Sequence, residues 1–439
     1  MPDEHSMARW RSAKRRAAPR RMRVAALLAA MASASLPIAA VPARALTPIE
    51  LLGKNVFFDT NLSRPRGKQA CASCHDAARG WTFPNAAVNR TTVAAPGAVP
   101  GAIGSIKTPA NAYAFFSPPF HPLSSPPPFG PFFEGGNFWD GRAEGCGKTG
   151  GPCPVGNGTF SPTITPADLP PLRRAIFTRY LGTTADQALN PLPNLVEQNI
   201  PIDDVCREVQ FARYRALYTL AFLVPINCSA IALVPGADRP ALTSFKRIAV
   251  AVAAWQASSE VNSFSSRRDI ALRLERDGQF PLQGFTPQEN LGHDLFYGVA
   301  SALNPGGRNA QCAGCHNGVP AGDQPDPAND LARRELYSDS RFHNIGIPYN
   351  REIPNVGFGQ KVGVGGHVPG FSGPDLSGMF KTPTLRNVAK GLRGGFVKSY
   401  GHNGYFKSLM GIVHFYNTRD VLPPPAAGRP RSTPTRQPS

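Results

Sequence analysis

The chain has 439 residues, a formal charge of +18, 46 prolines, 43 glycines and eight cysteines. With hydrophobic residues at 41% and charged residues at 17%, a polar disordered chain is excluded and a sizeable core is affordable by length. So much Pro and Gly disfavours long helices and wide sheets and predicts stiff, irregular loops. The charge is largely terminal. Residues 1–45 hold nine Lys/Arg against Asp3 and Glu4, and the tail from Thr418 holds four Arg against Asp420. The body lacks basic runs interleaved with aromatics, so no nucleic-acid partner is expected.

At the N-terminus, a basic stretch from Arg9 to Arg23 precedes the apolar run Val24–Met31 and the small-residue site Ala43-Arg44-Ala45. This is the pattern of an export signal over residues 1–45, cleaved after Ala45, with Met22 as an alternative start. A membrane anchor is the weaker reading, because the run is short and is followed by Pro37 and Pro42. No later stretch is long and apolar enough to span a membrane. Export places the mature chain in an oxidising compartment.

The next element is a helix starting at Thr47, with Pro48 in the first turn and Glu50 closing a capping box. It leads to Cys71-Ala72-Ser73-Cys74-His75. Residues 96–142 are too rich in Pro and aromatics for regular structure. Helical patterns return at Pro171–Leu181, Ile202–Phe222 and Thr243–Ser258, the last with Phe245, Ile248, Ala249, Val252 and Trp255 on one face. The chain turns polar near Glu260, where a domain boundary is expected. The opening elements then repeat: Thr286-Pro287 with Glu289 starts a helix, and Cys312-Ala313-Gly314-Cys315-His316 follows. Strand signals are sparse. The expected fold is all-α, with two cytochrome-c-like haem domains, 46–260 and 261–418, joined by Pro/Gly-rich loops and followed by a disordered Pro/Arg tail over 419–439.

Cys-x-x-Cys-His is the attachment signature of c-type haem: the two thiols add to the haem vinyls and the next His becomes the proximal iron ligand. Two copies predict two covalent haems, on Cys71, Cys74 and His75 and on Cys312, Cys315 and His316. A zinc pair or a dithiol explains the cysteines but not the His that follows each pair. The remaining Cys146, Cys153, Cys206 and Cys228 are an even set that suits disulfides. Proximity favours Cys146–Cys153 and Cys206–Cys228 among three connectivities.

Beside these motifs stand Phe138-Trp139-Asp140-Gly141-Arg142-Ala143, Asn194-Leu195-Val196-Glu197, Phe342-His343-Asn344-Ile345-Gly346, Lys381-Thr382-Pro383-Thr384-Leu385-Arg386-Asn387-Val388, and His402-Asn403-Gly404 with Val413-His414-Phe415-Tyr416. With the haem motifs, they make residues 46–420 resemble the bacterial di-haem cytochrome c peroxidases, a family that includes the di-haem enzyme maturing the cofactor of methylamine dehydrogenase. The resemblance implies a peroxide-binding N-terminal haem and a C-terminal haem that receives electrons; the export signal makes the expected location the periplasm. It assigns acid/base catalysis to Glu197, although Leu195 stands where the family has Pro. It makes Trp139 a relay between the haems and Tyr416 the distal ligand of the second haem, with Met410 and Met379 as alternatives. No His between Gly80 and Ser117 matches the family's distal ligand, and His121 lies beyond that loop, so the first haem is expected to be open. Lys107 stands where relatives carry an Asn of a calcium loop, and an ammonium repels that ion, which argues against calcium.

The leading expectation is therefore a peroxidase that reduces hydrogen peroxide to water with electrons from a small cytochrome c or cupredoxin. The alternative is a tyrosine-ligated oxidase that turns high-valent iron on a protein or organic substrate. A non-catalytic electron-transfer cytochrome would need both irons six-coordinate. The resemblance also admits a homodimer.

Overall fold

The computed structural model describes residues 45–123, 132–145, 147, 163–232, 234, 236–274, 281–317, 334–354, 360–368 and 376–419. The export signal (apart from Ala45), Cys146, Cys153 and the tail beyond Arg419 therefore lie outside the described residues. The chain opens with α1 (Pro48–Phe58), α2 (Cys71–Cys74) and α3 (Ala86–Arg90). A long irregular stretch follows, holding a two-stranded antiparallel ribbon of β1 (His121–Leu123) and β2 (Phe132–Glu134). Then come α4 (Pro171–Phe177), α5 (Thr183–Ala188), α6 (Ile202–Phe211), α7 (Ala216–Phe222) and α8 (Pro240–Gln256). The remainder holds α9 (Arg267–Leu274), α10 (Pro287–Tyr297), α11 (Val364–His367) and α12 (Leu409–Thr418), with a second ribbon of β3 (Phe342–His343) and β4 (Phe380–Lys381). The described residues are thus mostly helical with little strand. The expectation of an all-α chain is corrected only by these two short ribbons.

Packing of α1 against α8 organises the main core. A Cβ on Gly53 would sit 1.9 Å from the Ala251 carbonyl oxygen, so only glycine lets the two backbones meet. Leu52, Val56 and Phe57 from α1 are buried with Phe245, Ile248 and Trp255 from α8. Each such side chain contributes about 1.5–3 kcal/mol of burial. The pattern expected for the α8 face is fully buried. The helix expected over Ile202–Phe222 is broken into α6 and α7, and Cys206 on α6 is joined to Cys228, with Cα atoms 5.6 Å apart.

Both capping boxes form. The Glu50 carboxylate accepts from the Thr47 amide at 2.7 Å, and Glu289 from the Thr286 amide at 2.8 Å. Yet the repeat is not symmetric, because a Cβ on Gly292, the counterpart of Gly53, meets nothing within 4 Å.

Candidate functional site

Cys71 and Cys74 lie one helical turn apart on α2, and His75 caps its end. The His75 Nδ1–H donates to the Trp81 carbonyl at 3.1 Å, and burial pushes the ring down to about 4. The imidazole is thus neutral, with its tautomer set by that carbonyl and Nε2 left as a free metal ligand. Burial, with the Glu197 carboxylate adding to it, pushes the Cys74 thiol up to about 12. The second motif repeats the device: the His316 Nδ1–H donates to the Tyr337 carbonyl at 2.8 Å, and burial lowers its proton affinity as well. Trp81 and Tyr337 both have left-handed backbones, with φ of 62° and 54°, which turn their carbonyls toward the rings. Neither orienting carbonyl was legible in the sequence. Trp81 follows its His by six residues and Tyr337 follows by twenty-one, so no common spacing marks them.

A partly open cavity, about 550 Å³ with the space that opens to solvent, is lined by Cys71, Cys74, His75, Gln187 and Glu197, with Phe57, Gln69, Asn111 and Gln256 around it. Three buried polar atoms of this lining have no hydrogen-bond partner among the described residues: Gln69 Oε1, Asn111 Nδ2 and Gln256 Oε1. Buried polar atoms are rarely left unpaired, so a polar guest is part of the design. Two thiols, a neutral imidazole with a free nitrogen, and unpaired amides fit a c-type haem.

Glu197 faces this cavity from a tight turn. Its amide donates to the Asn194 carbonyl at 3.0 Å, and Asn194 Nδ2 donates to Glu197 Oε1 at 2.9 Å. Leu195, the departure from the family's Pro, is 73% exposed and does not disturb the turn. Burial raises the Glu197 carboxyl above the ordinary carboxylate range, with Arg142 and Asn194 opposing the rise. Among the described residues, His75 is the sole histidine lining the cavity. His121 sits in β1, with its ring hydrogen-bonded to the Pro119 carbonyl at 2.8 Å.

Trp139 is 7% exposed and donates its indole N–H to the Lys107 carbonyl at 2.8 Å. It lines a solvent-open cleft of about 800 Å³ together with His75, Ser338, Lys381, Thr382 and Pro383. The Pro383 carbonyl lies by His316, so this cleft runs from one proximal histidine toward the other. Lys107 is buried beside it and donates to the Thr108 carbonyl at 3.0 Å. Burial, with the nearby Lys398 ammonium, pushes its amine down to about 7.

Tyr416 lies on α12 and is 45% exposed. Burial of its hydroxyl, with the Cys315 thiol adding, pushes it up to about 12, so the phenol stands near the second haem motif. Of the alternatives, Met410 is 79% exposed on the same helix, and Met379 packs against the cluster that holds Phe120, Phe133 and Phe342. One cluster was not foreseen: Cys315, Asp339 and His343 place donor atoms within 4.8 Å of one another, with His343 Nε2 and Asp339 Oδ2 at 2.9 Å. The landmark around Phe342-His343 was legible, but its pairing with Asp339 was not.

Comparisons with known proteins bear on the family and the fold. Residues 48–277 match the family described as di-haem cytochrome c peroxidase. The chain is 29% identical over 392 residues to the methylamine utilization protein MauG of Paracoccus denitrificans, covering 87% of this chain and 77% of that protein. Among solved structures it is similar to the diheme peroxidase BthA of Burkholderia thailandensis, with a TM-score of 0.58 and 26% identity over 86% of this chain and 73% of that one. The chain belongs to the di-haem cytochrome c peroxidase family. It is an oxidoreductase of the di-haem peroxidase type and binds two c-type haems. No helix among the described residues is long and apolar enough to cross a membrane.

Proposed function

We propose that this chain is a periplasmic di-haem peroxidase that reduces hydrogen peroxide to water with electrons from a small cytochrome c or cupredoxin. The observation that carries the reading is the shared cavity of Glu197 and His75, in which no second histidine competes for the open side among the described residues. Cys71, Cys74 and His75 hold one haem and Cys312, Cys315 and His316 the other, in modules spanning 46–260 and 261–418. The bound iron supplies the peroxide-binding site and the redox equivalents. Glu197 supplies the proton chemistry: its carboxylate takes the proton of one peroxide oxygen and returns it to the other, which leaves as water. Its raised affinity for protons suits both halves of that transfer. Asn194, through Nδ2, holds the carboxylate in place. Trp139 would relay electrons along the cleft that His75 and Pro383 share, and Tyr416 would help hold the second haem.

The position of Tyr416 near Cys315 also favours a second reading, an oxidase acting on a protein or organic substrate. A phenolate ligand lowers the haem potential and makes that haem a poorer store of electrons. The deciding experiment is peroxide-dependent oxidation of a reduced small cytochrome c by the haem-loaded protein, run beside Glu197→Gln. Rapid turnover that the variant loses supports the peroxidase. A long-lived oxidised spectrum without turnover supports the oxidase.

A further inference from the structure

Phe57 lines the Glu197–His75 cavity, with its ring 6.3 Å from His75 and 6.0 Å from Trp81. Trp81 meets Trp255 edge-on at 5.5 Å, and Trp255 also packs on Phe57 at 4.6 Å. Trp81 is bound to the proximal ligand through its carbonyl, which accepts from His75 Nδ1. At the far end, the Trp255 indole N–H donates to Glu260 Oε2 at 3.0 Å. Glu260 is near the surface, with 36% of its side chain exposed, and pairs with Lys54 at 2.8 Å. Partial burial alone would raise the Glu260 carboxyl, but the hydrogen bonds from Lys54 and Trp255 hold it below the ordinary range, so it is ionised at neutral pH. Neither tryptophan lines the cleft of Trp139.

Plain core packing would account for two buried indoles. It does not account for an indole N–H aimed at an ionised carboxylate at the protein surface, on a chain of ring contacts that begins at the proximal histidine. We propose that Trp81 and Trp255 form a second redox outlet from the first haem, one that holds an oxidising equivalent as a tryptophan radical when no external donor arrives.

This outlet rests on the reading of the first haem as the peroxide site. Hydrogen peroxide takes two electrons in becoming water. When the small donor is lacking, the haem pair supplies one of these electrons and stays oxidised by one equivalent; the other passes from Trp81 to the haem of His75, and Trp255 refills Trp81. An oxidised indole is a far stronger acid than a neutral one, so the Nε1 proton of Trp255 moves to Glu260 Oε2. A neutral radical remains on Trp255 and a protonated carboxyl on Glu260.

The test mixes haem-loaded protein with one equivalent of hydrogen peroxide, without donor, and records freeze-quench electron paramagnetic resonance alongside the optical spectrum. The expected result is an organic radical that narrows on ring deuteration of tryptophan. It is retained in Trp139→Phe and lost in Trp255→Phe. Glu260→Gln, a change near the surface that leaves the core intact, lowers the radical yield and carries the test if Trp255→Phe fails to take up haem. A haem that reacts optically but yields no tryptophan radical, or a radical lost only with Trp139, overturns the outlet and leaves the peroxidase standing. So does an unchanged yield in Glu260→Gln. A haem spectrum indifferent to peroxide overturns the peroxidase reading, and the outlet with it.

Discussion

At the residue scale the proposed chemistry turns on single atoms: the Nε2 of His75 left free, and the carboxylate of Glu197 aimed into the same cavity. Because a positioned acid/base contributes typically about 10²–10⁴-fold, Glu197→Gln lowers kcat by that order while haem content stays intact. Steady-state peroxide turnover and the haem absorbance spectrum check both halves of the statement. On the reading of Tyr416 as the second haem's ligand, Tyr416→Met replaces a charge-donating phenolate with a thioether and raises the midpoint potential. Spectroelectrochemical titration reads the shift, and an unmoved potential would remove Tyr416 from the iron. The residue types at these positions were legible, since each sits in a recognisable run such as Asn194–Glu197. Their orienting partners, the Trp81 and Tyr337 carbonyls, were not. A backbone carbonyl has no residue signature, and its direction follows from φ and ψ alone.

Among elements, the crossing of α1 and α8 positions Phe57 at the cavity and Trp255 behind it. Gly53→Ala would place a methyl 1.9 Å from the Ala251 carbonyl, forcing the helices apart. Overpacking of this kind costs about 1–3 kcal/mol or more. Urea unfolding of the variant should show a lowered midpoint, whereas Gly292→Ala, with open space around it, should leave the midpoint nearly unchanged or raise it. The helix starts at Thr47 and Thr286 were readable from their capping boxes, because capping is a contact between residues three apart. The unequal use of the two glycines was not, since it depends on which distant backbone arrives opposite each one.

For the whole molecule, a buried ion pair ties distant segments together. Arg386 donates to both carboxylate oxygens of Asp269 on α9 at 3.0 Å, and its guanidinium lies over Phe264 at 4.5 Å. Burial alone would raise the Asp269 carboxyl, but the Arg386 and Ser266 hydrogen bonds outweigh it and hold it below its usual range. A carboxyl depressed in the folded state stabilises above its unfolded value, about 4, and that contribution is lost as pH falls through the folded value. Thermal unfolding should therefore move to lower temperature as the pH drops below about 4, and less steeply in Asp269→Asn, which is itself destabilised by about 3–5 kcal/mol at neutral pH because it strands a buried Arg. Lys107, whose buried amine offers no oxygen ligand where relatives carry an Asn, carries a further expectation: a chelator such as EGTA leaves haem spectrum and turnover unchanged. Loss of either on chelation would restore a metal ion to that loop. Local, contiguous patterns were enough to reveal two haem modules, their capping boxes, their thiols and proximal histidines, because covalent attachment and helix starts are decided by neighbours in the chain. Only the folded molecule decided which carbonyl orients each histidine, that Glu197 shares a cavity with His75, that Arg386 finds Asp269, and that Trp255 hands its N–H to a carboxylate near the surface. Those are contacts between residues far apart in sequence, chosen by which surfaces pack, and no local pattern encodes them.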